Sequence, residues 1–234
     1  MQFAPLGLRG ASCAAMYRYA YLHGFASSAA SKKGVWLAEA LSGDGVSLER
    51  PDLNCPSFGR LSHDAMVSAL EEADREAAAK GQTWRFIGSS LGGWLAARYA
   101  ELHPDRVDRL VLLCPGFGLA DRWPHLVGPQ AFAQWQRDGA LPLPDARGEM
   151  VPVHWGFIEE ARRQPAAPVV PCPTVIIHGR GDPTVPIEGS RAYAAAHSDR
   201  VRLVEVDDDH GLMASLDTIH DEVRRHFHID GRSA

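Results

Sequence analysis

The sequence lacks an excess of positive charge and any long hydrophobic run. Its 234 residues carry a net charge of -5, which leaves no basic surface for DNA, RNA or an anionic membrane. No apolar run approaches the ~18 residues that span a bilayer, and the first residues lack the basic and continuously apolar parts of a secretory signal. We therefore expect a cytoplasmic protein, monomeric or a small homo-oligomer, whose partner is a small molecule.

Cysteine is scarce and never occurs as a C-x-x-C pair. Cys13, Cys55, Cys114 and Cys172 are scattered along the chain, which favours a reducing compartment over a disulfide framework. The histidines form no cluster with the spacing of a structural zinc site. We expect neither a metal nor an organic cofactor.

The chain does contain a regular alternation of strand and helix patterns. The strand patterns, several of them continuously apolar, are Tyr17–Leu22, Val46–Glu49, Trp84–Gly88, Leu110–Cys114, Thr174–His178 and Val201–Val206. The helix patterns are Lys32–Leu41, Leu61–Lys80, Leu91–Leu102, Ser190–His197 and Leu216–Phe227. Continuously apolar strands are typical of a parallel sheet buried on both faces. The alternation predicts an α/β protein, a three-layer α/β/α sandwich around a mainly parallel sheet of about six strands.

Two segments fall outside this alternation. Residues 1–15 include an alanine-rich part but lack the parts of a secretory signal, and we predict a disordered extension before a single domain over residues 16–234. Residues 116–173 are rich in proline and aromatics and contain no clear strand, although Gln130–Arg137 and Gly156–Arg163 have helical patterns. A long structureless loop is uncommon inside a compact domain, so we predict that residues 116–173 form an inserted lid.

The stretch GSSLG, residues 88–92, lies between a predicted strand and a predicted helix. In that setting the pattern G-x-S-x-G strains the backbone at its central Ser90 and lifts the hydroxyl above the sheet, at a helix N-terminus. Glycine and serine are common in turns, so the pattern alone is weak. The alternative is that Ser90 or Ser89 merely caps the helix.

A serine nucleophile needs a base and a carboxylate that orients the base. Asp182 follows one predicted strand in TVIIHGRGDPTVP, and His210 follows the next in VRLVEVDDDHGLM. In a parallel sheet both loops emerge at the same edge as Ser90, so we predict a catalytic triad of these three residues. Taken singly, Asp182 could instead be a turn residue and His210 a loop histidine. The aspartates at 207–209 compete with Asp182 as the partner of His210.

Acyl transfer also needs donors for the oxyanion that forms on the substrate. We predict the backbone N–H of Leu91, next after Ser90, and that of Phe25 in the loop YLHGFASS. Gly24 lets that loop come close, and His23 is expected to brace it by hydrogen bonds. Cys114 also follows a strand, but we interpret it as a buried apolar cysteine.

These motifs resemble those of the α/β-hydrolase superfamily over roughly Tyr17 to Phe227. YLHGFASSAASKKG with GSSLGG is similar to the small bacterial esterases of the YqiA type, and GSSLGGWLA with HGRGDPTVP is also similar to depalmitoylating and thioesterase-like serine hydrolases. The resemblance implies that the two leading strands of the full-size fold are absent and that residues 116–173 are the lid. Serine at position 90 argues against the dehalogenases of that superfamily, which need an aspartate there.

We therefore expect a serine hydrolase that cleaves an ester or thioester of a small, largely apolar acyl group through an acyl-enzyme. An amidase, a peptidase or a perhydrolase would use the same triad, and a non-catalytic ligand-binding protein of this fold is a further alternative. Aromatic side chains are candidates for the wall of the acyl pocket, although each has the alternative of packing the lid onto the sheet. They are Trp94, Trp123, Trp135, Trp155 and Phe157.

Overall fold

The computed structural model describes residues 16–229; the predicted extension at 1–15 lies outside the described residues. Eight strands are present in this range, and six of them form one sheet in the order β2-β1-β3-β4-β7-β8. All neighbours in that sheet are parallel. The strands are β1 (Tyr17–Leu22), β2 (Leu48–Glu49), β3 (Thr83–Ser89), β4 (Val107–Leu113), β5 (Ala140–Pro144), β6 (Met150–His154), β7 (Thr174–Gly179) and β8 (Val201–Val206).

Helices cover both faces of this sheet. They are α1 (Lys32–Gly43), α2 (His63–Ala79), α3 (Leu91–Leu102), α4 (Leu119–Val127), α5 (Pro129–Asp138), α6 (Gly156–Arg163), α7 (Ile187–Ala196) and α8 (Leu216–Phe227). Apolar side chains of α1 and α8 form the core on one face, and those of α2, α3 and α7 form it on the other. The predicted three-layer sandwich is confirmed. Within residues 16–229, no helix has both the length and the hydrophobicity to cross a membrane.

The register of the central strands brings their carboxyl ends together. Leu22 at the end of β1 pairs with Gly88 of β3, and Ser89 of β3 pairs with Leu113 of β4. The loops that follow β1, β3 and β4 therefore leave the sheet side by side. In open α/β sheets this edge is where ligands bind.

Residues 116–173 differ from the sequence prediction. They contain α4, α5 and α6, but also an antiparallel hairpin of β5 and β6, where the sequence indicates no clear strand. The hairpin includes Pro142 and Pro152, which face each other in its register. Proline removes a ladder donor, but a two-stranded ribbon has two open edges where that loss is tolerated. Strand propensity therefore misses this element.

Candidate active site

Ser90 is the turn residue between β3 and α3. Its backbone has φ 53° and ψ -117°, and its side chain makes no capping hydrogen bond to the helix. The neighbouring Ser89 hydroxyl instead accepts a hydrogen bond from Nζ of Lys33 at 3.2 Å. The alternative that Ser90 caps the helix is therefore wrong. Its hydroxyl remains available at the helix N-terminus, where negative charge is favoured.

Two glycines allow the sharp turn around Ser90. A Cβ atom on Gly88 would lie 2.4 Å from the carbonyl oxygen of Gly92, and one on Gly92 would lie 2.1 Å from the carbonyl oxygen of Leu22. Strand β3, helix α3 and the end of β1 thus approach so closely that no larger residue fits. This is the strand–turn–helix setting that the G-x-S-x-G pattern requires.

His210 and Asp182 form a hydrogen-bonded pair at the same sheet edge. Nδ1 of His210 lies 2.6 Å from Oδ2 of Asp182. The other oxygen of Asp182 accepts hydrogen bonds from the backbone N–H groups of Thr184 at 2.8 Å and Val185 at 2.9 Å. The carboxylate is therefore fixed in place, and it directs Nε2 of His210 away from itself.

Two of the competing aspartates, Asp208 and Asp209, have other partners. Asp208 accepts hydrogen bonds from the N–H of Ala214 and the hydroxyl of Ser215, each at 2.9 Å. Asp209 accepts one from the N–H of Gly211 at 2.7 Å. These contacts stabilise the loop that carries His210, and they leave Asp182 as its carboxylate partner.

His178 is a buried neighbour of this pair that the sequence analysis did not identify. Its Nε2 lies 3.2 Å from Oδ2 of Asp182 and 2.8 Å from the carbonyl oxygen of Val185. Both are acceptors, so Nε2 carries the proton, and Nδ1 accepts from the hydroxyl of Ser190 at 2.8 Å. His178 lies at the end of the strand pattern Thr174–His178, which carries no signal of a contact with Asp182.

The surroundings of Asp182 favour its ionised form. Burial acts to raise the pKa of this carboxyl group, but hydrogen bonds from His178, His210 and the N–H of Val185 outweigh it and hold the pKa well below its ordinary 3.8. A carboxylate that stays ionised is the form able to hold the Nδ1–H tautomer of His210.

The loop after β1 lies directly against Ser90. A Cβ atom on Gly24 would lie 3.1 Å from Cβ of Ser90. Among residues 16–229, no backbone carbonyl accepts a hydrogen bond from the N–H of Phe25 or of Leu91. His23 accepts a hydrogen bond from the N–H of Leu53 at 2.9 Å, and its Nδ1 donates to the carbonyl of Gly24 at 2.9 Å. The prediction that His23 braces this loop is confirmed.

The hydroxyl of Ser90 and the ring of His210 are not joined by a hydrogen bond within the described part of the chain. Such bonds are often long in substrate-free sites and shorten when substrate binds. Both residues lie in loops, one after β3 and one after β8, that leave the parallel sheet at the same edge.

Backbone strain is concentrated around this site. Five non-glycine residues among residues 16–229 have positive φ, and four of them lie in its loops. They are Ala26, Ser90, Cys114 and Leu212, with φ between 42° and 54°. Residues held in such conformations collect at functional sites because the surrounding structure must support them.

Cys114 lies close to the His210–Asp182 pair. Its Sγ, a ring nitrogen of His210 and a carboxylate oxygen of Asp182 all lie within 4.8 Å of one another, a set of atoms able to hold a metal ion. Burial raises the pKa of the thiol to about 12, so the sulfur is protonated and Asp182 remains committed to His210. This supports the interpretation of Cys114 as a buried cysteine, although it is closer to His210 than the sequence indicated.

A narrow cavity of about 30 Å³ opens beside the Ser90 turn, enough for about two water-sized groups. Leu91 and Gly116 form its wall next to Ser90, while Ser90 and His210 do not themselves line it. Helices α2, α3, α4 and α6 contribute the other walls. Four of the lining side chains are aromatic rings: His63, Trp94, Trp123 and Phe157.

The five aromatic candidates divide into two groups. Trp94, Trp123 and Phe157 line the cavity. Trp135 and Trp155 do not: their rings pack against each other at 5.9 Å, and Nε1 of Trp135 donates to the carbonyl of Val153 at 2.7 Å. We therefore assign Trp135 and Trp155 to packing within residues 116–173.

Residues 18–224 match the Uncharacterised protein family (UPF0227). The chain belongs to the UPF0227 family. The match includes every candidate catalytic residue, and the resemblance to the α/β-hydrolase superfamily is confirmed.

Solved structures share the fold of this UPF0227 chain. A protein of Agrobacterium vitis S4, provisionally classed as a hydrolase, has a TM-score of 0.77 and 22% identity, with 92% of this chain and 89% of that chain covered. Est1E of Butyrivibrio proteoclasticus, with ferulic acid bound, has a TM-score of 0.73 and 18% identity, with 94% and 90% covered. At this identity the likeness establishes the fold alone.

Curated relatives match the UPF0227 chain over shorter stretches. The human (Lyso)-N-acylphosphatidylethanolamine lipase is 34% identical over 110 residues, which is 42% of this chain and 30% of the lipase. The pimeloyl-[acyl-carrier protein] methyl ester esterase of Klebsiella pneumoniae is 36% identical over 83 residues, 34% of this chain and 29% of the esterase. The matched part is thus less than a third of either relative.

Proposed function

We propose that this protein is a serine hydrolase that cleaves esters or thioesters of a small, largely apolar acyl group. One observation carries the proposal: the strained, uncapped Ser90 lies at the sheet edge that also holds a His210–Asp182 pair joined at 2.6 Å. A residue held in such a backbone conformation for packing alone would be replaced by glycine without loss.

In the proposed mechanism, Oγ of Ser90 attacks the acyl carbonyl while Nε2 of His210 accepts the hydroxyl proton. Asp182 holds Nδ1–H and stabilises the imidazolium that forms. The N–H groups of Phe25 and Leu91 bind the oxyanion. His210 then protonates the leaving alcohol or thiol, and water, activated by the same imidazole, releases the acid from Ser90.

The relatives support the reaction class. The lipase and the methyl ester esterase are by name enzymes that act on acyl esters. The matched stretches cover a minority of each protein, so their particular substrates do not transfer to this chain. The narrow cavity with its aromatic walls favours a short acyl group over a long one.

The test uses a fluorophosphonate probe together with p-nitrophenyl esters and acyl thioesters of graded acyl length. The wild type should label and turn over, and Ser90→Ala should do neither. Ser89→Ala is the matched control, because it removes a hydroxyl one residue away that is bonded to Lys33; it should still label at Ser90.

Two results would redirect the proposal. Equal labelling of wild type and Ser90→Ala would remove Ser90 as the nucleophile. Labelling without ester or thioester turnover would favour the amide or perhydrolase alternatives, which anilides and hydrogen peroxide with a short carboxylic acid test directly.

A further inference from the structure

His63, the first residue of α2, lies in the wall of the cavity beside Ser90. Its side chain is packed between two other cavity residues: the ring stacks on Phe157 at 4.8 Å and 14°, and meets Trp94 edge-on at 5.1 Å. Only 4% of its surface is exposed. It is therefore a polar group inside an aromatic pocket.

The two ring nitrogens of His63 have different surroundings. Nδ1 is sealed from solvent without a hydrogen-bond partner among residues 16–229, and it lies 3.8 Å from Oε2 of Glu160. That carboxylate is held at the start of α2, since it accepts hydrogen bonds from the hydroxyl of Ser62 at 2.9 Å and the N–H of His63 at 2.6 Å. Glu160 thus fixes a negative charge beside Nδ1.

This charge decides where the proton of the imidazole lies. Burial lowers the pKa of His63 to about 4, so the ring is neutral near pH 7 and one nitrogen carries the hydrogen. A lone pair on Nδ1 would face the carboxylate and be repelled, whereas Nδ1–H faces it favourably. Nε2 is then a hydrogen-bond acceptor, and no described residue donates to it.

Packing alone does not account for a histidine here. Leucine or phenylalanine would fill the same space between Trp94 and Phe157 without leaving ring nitrogens unpaired, and buried polar groups in folded proteins are almost always hydrogen-bonded. His63 lines the cavity that also reaches Leu91 and Gly116, so a ligand bound there is placed to supply the hydrogen-bond donor that Nε2 lacks.

We propose that His63 selects acyl groups that carry a hydroxyl near the carbonyl, with the hydroxyl donating to Nε2. This inference rests on the proposed function, because it places the acyl chain of the Ser90 ester in this cavity. It narrows the substrate class from small apolar acyl groups to short hydroxyacyl groups. His63 is then a specificity-determining residue rather than a part of the proton-transfer machinery.

The test compares p-nitrophenyl 3-hydroxybutyrate, as separate enantiomers, with p-nitrophenyl 3-methylbutyrate, in which a methyl group replaces the hydroxyl. The ratio of kcat/KM for the two esters is measured in wild type, His63→Leu and His63→Gln. Comparing ratios between variants cancels the different intrinsic reactivity of the esters. His103→Leu is the matched control, because His103 is a half-exposed histidine bonded to Glu71, outside the cavity.

We expect His63→Leu to lower the preference for one hydroxy enantiomer by about tenfold, mainly through a higher KM. His63→Gln keeps an acceptor and should retain most of the preference, and His103→Leu should match the wild type. An unchanged ratio in a His63→Leu protein that still labels with fluorophosphonate overturns the inference alone. Absence of labelling and turnover in the wild type overturns the proposed function, and this inference with it.

Discussion

Nε2 of His178 lies 3.2 Å from Oδ2 of Asp182, the same oxygen that accepts from His210. Asp182 is thus in contact with a second imidazole, which is fully buried. His178 fixes the charge and position of Asp182 independently of His210. The carboxylate is in place before any substrate arrives.

Asp182→Asn should reduce the acid sensitivity of the fold. The pKa of Asp182 lies below its ordinary 3.8 in the folded protein, so its contribution to stability is complete above about pH 4 and is lost as the pH falls toward the lowered pKa. Asparagine has no such dependence. Urea unfolding at pH 7 and pH 3 should show a larger loss for wild type than for the variant, and equal losses would contradict the assignment.

Ser90→Gly should be more stable than Ser90→Ala. Both variants lack the hydroxyl, but only glycine adopts φ 53° and ψ -117° without strain. The difference in the free energy of unfolding should be about 1 kcal/mol, measured by chemical denaturation. If alanine is equally stable, the turn is not strained at this residue, and the argument from Ser90 geometry fails.

Lys33→Met should raise stability near neutral pH. Lys33 is 7% exposed, and burial lowers its pKa below 10.5. The folded protein therefore binds this proton less tightly than the unfolded chain, and wild-type stability rises with pH up to about 10.5. The variant should gain about 1 kcal/mol at pH 7.

Thermal unfolding from pH 7 to pH 10 checks the sign of this effect. The advantage of Lys33→Met over wild type should shrink as the pH rises. Lys32→Met, at an exposed position one residue earlier on α1, is the control and should follow the wild type. An advantage that grows toward pH 10 would mean that the ammonium of Lys33 is stabilised by its acidic neighbours.

The environments of Trp123 and Trp135 predict different effects of a change to phenylalanine. Trp123→Phe removes part of one wall of the cavity, and it should shift the preferred acyl length upward by one or two carbons. Trp135→Phe removes a buried hydrogen bond to Val153, and it should cost about 1 kcal/mol or more while leaving the preference unchanged. The p-nitrophenyl ester series and thermal unfolding separate the two outcomes.

The central sheet could be predicted from the sequence because its strands are continuous apolar runs separated by helical patterns. The edge strand β2 is the exception: the pattern Val46–Glu49 yields only Leu48–Glu49, because these are the residues that pair with β1. The hairpin of β5 and β6 was missed because its prolines hide strand propensity. Prediction from the local sequence pattern fails where a strand forms because it pairs with a neighbouring strand and not because of its own strand propensity.

The part of the candidate site that could be predicted consists of residues that directly follow predicted strands. Ser90, Asp182 and His210 each follow one, and their order is visible in the chain. His63 was not predictable in this way, because its environment is made by Glu160, 97 residues away. Lys33 likewise meets Ser89 across 56 residues. Neither contact leaves a local signal in the sequence.

The hydrogen bonds of the Glu160 carboxylate also bear on the acyl length that the cavity accepts. It joins residues 116–173 to the start of α2 through two hydrogen bonds, and Arg122 joins the same segment to the Asp182 loop through the carbonyl of Thr184. The part of residues 116–173 that lines the cavity is therefore held by hydrogen bonds at two places. A wall held in this way cannot move to admit a longer acyl chain. Beyond a certain acyl length, turnover should therefore fall abruptly rather than gradually.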